Sequence, residues 1–191
     1  MKHLKATLIT ASICAAALGM PGTAGAAPIT FGGLSGANGD PFSTYTENGF
    51  TVATTQGTWV EAHLFGAPVP DIFSTSSVAA VSVTGPGLFS FSDVDLGLAG
   101  GTDVSYSITG MLGAATLYSF AGSLTGVSFH NVLNSSSLLI DKLLITMTKA
   151  GASSYNIDNI NVTAVPEPSS YLLMALGLAG LAAMRSKKRG S

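Results

Sequence analysis

The 191-residue chain has a formal net charge of −2, a single cysteine, 47% hydrophobic residues and only 9% charged residues. That length suits one domain with attached segments, and the near-neutral balance argues against nucleic acid, whose phosphates require clustered Lys and Arg. A mean hydropathy of +0.46 is out of keeping with an ordinary cytosolic enzyme. The average mixes three unlike segments.

Residues 1–26 have the layout of a secretory signal peptide. Lys2, His3 and Lys5 precede an apolar run from Ala6 to Met20, Pro21-Gly22 breaks any helix, and Ala24-Gly25-Ala26 supplies small residues for signal peptidase. The expected cut lies between Ala26 and Ala27. An uncleaved anchor is the alternative, but the apolar run falls short of the roughly 20 residues a span needs. Cys14 sits inside this run. The mature chain is therefore expected to have no cysteine, which excludes disulfides, thiolate catalysis and cysteine metal sites together.

Residues 27–164 form the body. Two lysines, Lys142 and Lys149, face nine acids, a net of −7. Serine and threonine fill 34 of its 138 positions and glycine 17, so turn-prone residues interrupt every apolar run. Short runs of period 2 recur between these breaks, and no long stretch keeps a 3.6-residue period. The predicted class is all-β: an antiparallel, jelly-roll-like β-sandwich flanked by an N-terminal signal helix and a C-terminal hydrophobic helix. The predicted strands are 29–34, 50–55, 58–64, 78–83, 88–98, 104–109, 114–121, 127–133, 138–148 and 155–163. Gln56-Gly57, Gly85-Pro86-Gly87, Gly100-Gly101 and Asn134-Ser135-Ser136 mark breaks.

Two of these strands change phase at an acid. Phe89 and Phe91 are followed by Val94, Leu96 and Leu98, with Asp93 at the switch. Tyr155 and Ile157 are followed by Ile160 and Val162, with Asp158 at the switch. Either a β-bulge re-aims each acid, or the strand ends are misplaced.

Trp59 begins a local set with Glu61, His63 and Phe65; the candidate ligand residues are Trp59, Glu61 and His63, which strand alternation places on one face beside the loop 66–71. An aromatic ring next to polar groups suits a sugar, which stacks its apolar face and hydrogen-bonds its hydroxyls. A tryptophan covering the edge of the core is the simpler alternative. His63 and His130 are too few for a catalytic zinc site, there is no G-x-S-x-G elbow, and Asp93-x-Asp95 reads as solvated acids before it reads as a glycosidase pair. No catalytic residue is assigned, and an enzyme is disfavoured.

The C-terminus, residues 165–191, runs from Val165 through Pro166-Glu167-Pro168-Ser169-Ser170 to an apolar stretch at 171–184, then to a basic end with Arg185, Lys187, Lys188 and Arg189. A helix over 14 residues reaches about 21 Å, a marginal transmembrane helix against a core of about 30 Å. The basic cluster is expected to stay cytoplasmic, with the body outward. This ordered set closely resembles the PEP-CTERM sorting signal of exported proteins in Gram-negative bacteria that make exopolysaccharide. The resemblance implies a membrane-embedded exosortase that cuts near Pro166, Glu167 and Pro168, with this chain as its substrate. The two prolines favour the extended backbone that a processing enzyme grips.

The closing segment Tyr155-Asn156-Ile157-Asp158-Asn159-Ile160-Asn161-Val162 resembles the last strand of carbohydrate-binding-module-like jelly rolls, and Ile29-Thr30-Phe31 with Tyr45 to Phe50 fits their first strands. That resemblance implies Asp158 as a ligand of a structural calcium, with Glu47 as a candidate partner; a turn acid bonded to backbone is the alternative. No other cofactor is expected. Together these readings give a protein transiently anchored in the inner membrane, then displayed on the cell surface or released to the biofilm matrix. There its body serves as a non-enzymatic, exopolysaccharide-associated glycan-binding or structural module. A secreted polysaccharide hydrolase and a passive surface adhesin without a defined ligand are the alternatives.

Overall fold

The computed structural model of the protein describes residues 26–100, 103–149, 151 and 154–165, with the single further position Gly177. The expected signal peptide of 1–26, apart from Ala26, and the expected motif, hydrophobic helix and basic tail of 165–191, apart from Val165 and Gly177, lie outside the described residues. Among the described residues no helix is long and apolar enough to cross a membrane.

The body is all-β. Its strands are β1 (Ala26–Ile29), β2 (Pro41–Phe42), β3 (Thr44–Glu47), β4 (Phe50–Gln56), β5 (Trp59–Ala62), β6 (Asp71–Ser74), β7 (Val78–Leu98), β8 (Val104–Leu112), β9 (Ala115–Leu124), β10 (Ser128–Leu133), β11 (Ile140–Lys149) and β12 (Tyr155–Ala164). All pairings are antiparallel, and hydrogen bonding joins the strands into one continuous sheet.

Two predicted strands, 78–83 and 88–98, are one strand of 21 residues. Gly85-Pro86-Gly87 does not end it. Instead β7 changes partners there: Val78–Thr84 pair with β4 and β11, whereas Phe89–Leu98 pair with β12 and β10. Proline carries no N–H for a ladder, so it is tolerated where the strand is between partners. From Lys142 to Ile140, β11 advances two residues while β7 advances from Thr84 to Phe89, which takes up the slack.

The strand thus belongs to two layers, β3-β4-β7-β11-β8-β9 and β2-β5-β6-β12-β7-β10. Their inward residues form one cluster that includes Phe31, Phe50, Trp59, Val81, Val83, Phe89, Leu96, Ile108, Ile145, Tyr155 and Ile160. Phe50 of the first layer meets Phe89 edge-on at 5.3 Å between ring centres. A closed core of this kind is what period-2 patterning on every strand produces.

Both phase changes are β-bulges. On β12 the register slips between Asp158 and Asn161, and it slips back between Asn161 and Val162. Asn159 is the extra residue of the first slip, with φ 44°, a left-handed conformation that asparagine tolerates. Ser92 of β7 is the extra residue of the second. Phe89 and Phe91 on one side of the slip, and Val94, Leu96 and Leu98 on the other, are all buried as a result.

Candidate functional site

The three sequence-predicted ligand residues do not act together. Trp59 is 1% exposed and packs edge-on to Tyr155, 5.8 Å between ring centres, so no sugar can stack on it in this fold. Strand alternation places alternate residues on one face but leaves open whether that face looks inward. Glu61 and His63 do meet, with Oε2 and Nε2 3.1 Å apart. Their work is structural as well: Glu61 Oε2 accepts from Gly36 N at 2.9 Å, and His63 N donates to Asn38 Oδ1 at 2.9 Å, which pins the 36–40 loop against β5.

The outer face of the second layer carries a different set. Residues directly opposite on paired strands point the same way. One row across β10, β7, β12 and β6 is therefore Phe129, Gly97, Asn156 and Phe73; the next is Asn131, Asp95 and Asp158; the third is Leu133, Asp93 and Asn161. Gly97 is essential to the first row. A Cβ there would come within 2.8 Å of the Phe129 ring and 3.1 Å of the Asn156 Cβ, so its bare backbone is what lets Phe129 lie across the sheet. Phe65, from the loop 63–70, stacks on Phe129 at 5.2 Å and 23°.

Beside this aromatic pair runs a ladder of carboxylates and amides. Asn131 Nδ2 donates to Asp93 Oδ1 and Asp95 Oδ1, both at 2.9 Å. Asn161 Nδ2 donates to Asp93 Oδ1 at 2.7 Å, and Asn159 Nδ2 to Asp95 Oδ2 at 2.9 Å. The bulge at Asn159 is what brings that amide onto this face. Among the described residues, Asp93 Oδ2 and Asn131 Oδ1 are left for other donors.

Under the loop 63–70 the acids are buried. Asp158 Oδ2 accepts from Ala67 N at 3.0 Å and Oδ1 from Asn159 N at 2.7 Å, while Asn159 Nδ2 holds Ala67 O. Burial pushes the Asp158 carboxyl up to about 6, against the two backbone N–H donors that favour its charge. Asp71 is wholly buried and accepts from Asn156 Nδ2 at 3.0 and 3.2 Å. Burial raises it to about 8, with Asp158 adding repulsion. A cavity of about 160 Å³ opens between Phe65, Phe73, Asn38, Ser154 and Asn156.

The calcium implied for Asp158 does not fit these residues. Both its oxygens already accept backbone N–H groups. Glu47 is turned to Thr30 N, Phe31 N and Thr30 Oγ1 at 2.7, 3.1 and 3.0 Å. Among the described residues no three acids, histidines or cysteines converge on one point, whereas Ca²⁺ takes six to eight oxygens. Asp158 is better described as the acceptor that fastens the loop 63–70 to β12.

The face that shows these groups was not legible as a site. The sequence does put Phe65 in the set begun by Trp59 and Asp93 beside Asp95, but nothing local joins them to Phe129, Asn131 or Asn161.

Among solved structures, CBM29_1, a family 29 carbohydrate binding module from Piromyces equi, is 13% identical and aligns with a TM-score of 0.45 over 74% of this chain and 92% of its own. The CBM22-1 xylan-binding domain of Paenibacillus barcinonensis Xyn10C is 13% identical, with a TM-score of 0.38 over 70% of this chain and 100% of its own. TmCBM61, solved in complex with beta-1,4-galactotriose, is 12% identical, with a TM-score of 0.38 over 66% and 100%. No curated protein matches the sequence. The tail is matched from Ala164, the last residue of β12, onward. Residues 164–189 are a PEP-CTERM protein-sorting motif, which implies an exported protein anchored transiently in the membrane on its way to the surface.

Proposed function

We propose that this is an exosortase-processed surface or extracellular-matrix protein whose β body binds exopolysaccharide on the outer face of its second layer. The observation that carries the reading is the Phe65–Phe129 pair set beside the Asp93, Asp95, Asn131, Asn159 and Asn161 ladder on one face. Aromatic rings take the C–H face of a sugar, and fixed carboxylates and amides take its hydroxyls. The adjoining cavity has room for one six-membered ring, since a cavity of about 150 Å³ holds benzene. The body's net charge of −7 directs this face toward neutral polymers and away from polyanions.

The test is saturable binding of the exported protein to the polysaccharide matrix of its own producing cells. Phe129→Ala and Asn131→Ala are each expected to weaken it about tenfold, equivalent to ~1.4 kcal/mol. Undiminished binding in both variants overturns this face as the site. Polysaccharide turnover that disappears in Asp93→Asn supports the hydrolase alternative instead, and accumulation without saturable binding supports the passive adhesin.

The sorting half is tested by intact mass. The surface form is expected to have lost residues 1–26 and the basic tail at 185–189. A surface form that still ends at Ser191 rules out exosortase processing.

A further inference from the structure

We propose that the end of the body from which the sorting tail emerges is a lipid-contacting surface, which seats the uncut protein end-on upon the membrane. The proposal rests on the reading that residues 171–184 enter that membrane.

Just past the end of β12, Val165 N donates to Leu88 O at 2.9 Å, so the chain leaves the body beside the point where β7 changes partners. Leu138 and Leu139 lead into Ile140, which pairs with Phe89, and they reach the same end from β11. The β8–β9 turn arrives there as well: Met111 pairs with Lys142, and Gly113 N donates to Asp141 Oδ2 at 2.8 Å. Leu112 tops that turn. Leu88, Leu112, Leu138, Leu139 and Val165 are each 36–49% exposed and make up five of the nine large exposed hydrophobic side chains among the described residues. Scattered exposed leucines are ordinary, but five gathered at one end are not.

What covers this end follows from the chain beyond it. From Val165 to Tyr171 there are six residue steps, at most about 20–22 Å when fully extended. Once residues 171–184 are in the bilayer, the apolar end is held within that distance of the lipid. A tether this short makes the second contact intramolecular, so even shallow insertion of a few leucines is sustained. Asp141 is occupied by Gly113 N, and exposed Lys142 beside it is compatible with anionic headgroups. A second copy is the weaker occupant, because it has to be recruited from solution, whereas the tether already holds this end against the lipid.

The experiment uses the mature chain with its tail uncut, residues 27–191, which has no cysteine of its own, carrying Leu139→Cys or, at the far end of β7, Val127→Cys. Each is labelled with an environment-sensitive fluorophore and reconstituted into vesicles of phosphatidylethanolamine and phosphatidylglycerol containing a shallow nitroxide-labelled lipid. The expected result is a blue shift and quenching at position 139, with position 127 unchanged from buffer. A protein that floats with the vesicles while both probes stay water-like overturns the proposal and leaves membrane insertion of the tail intact. Failure to float overturns both. A blue shift at 139 without nitroxide quenching, growing with the protein-to-lipid ratio, assigns the end to a second copy and also overturns the proposal.

Discussion

Replacing Asp71 by asparagine is expected to remove most of the stability that the native protein loses as pH rises from about 4 to about 8. Asp71 is wholly buried, its carboxyl is raised to about 8, and its side-chain donor is one amide, Asn156 Nδ2. The sign follows from linkage. Below pH 4 the carboxyl is protonated in both folded and unfolded chains. As pH rises past the unfolded value of 3.8 the unfolded chain releases its proton while the folded chain retains it, so unfolding becomes progressively easier. The decline continues to about pH 8 and then levels off. Asp158, raised to about 6, adds a smaller decline that ends earlier. The Asp71 contribution is on the order of a few kcal/mol, since one pKa unit is worth about 1.4 kcal/mol. The Asp71→Asn side chain keeps an acceptor for Asn156 and has no proton to lose. Denaturant melts from pH 4 to 9 check this, and parallel curves for both proteins exclude Asp71 as the source.

Trp59→Ala is expected to destabilise the body by ~3–5 kcal/mol, the range for emptying an aromatic site in a closed core. Trp59 fills the space between β5 and Tyr155, whose hydroxyl is fixed by donation to Ser76 O at 2.9 Å. The indole also has a weakness, because its buried Nε1 has no acceptor among the described residues. Trp59→Phe retains an aromatic ring and removes that unpaired donor, so its cost is expected to be well under half that of alanine. The Phe variant should also keep full polysaccharide binding, which separates a core role from a ligand role. Chemical denaturation and pull-down on the two variants read both quantities. A stable Trp59→Ala protein that has lost binding reverses the assignment.

Particular residues show what the amino-acid pattern could disclose. Alternation identified most strands, and the phase breaks at Asp93 and Asp158 located the bulges, because a buried face tolerates no slip in register. Short elements escaped: β6 is Asp71–Ser74, four residues behind Pro70, too few for alternation to register. β2 and β3 are shorter still or mostly half-exposed. Gly85-Pro86-Gly87 has the chemistry of a turn but serves as a change of partners within one strand, a distinction only the neighbours make. The site was harder. Trp59, Glu61 and His63 attract notice because they are rare and close in sequence. Phe65, Phe129 and the Asn–Asp ladder are assembled by contacts between residues 36 to 68 positions apart, about which local chemistry is silent.

The position of β12 bears on the timing of export. Among the described residues it is the last strand made, yet it lies within the second layer, with β6 and then β1 along one edge and β7 along the other. A chain threaded out from its N-terminus can form the β8–β9 hairpin early, but β1 has no neighbour until residues 160–163 arrive. Closure of the core is therefore deferred to the moment the sorting motif follows β12 out of the secretion channel, a pairing of high contact order and slow formation. Folding of the body and arrest of its tail in the membrane become a single closing event.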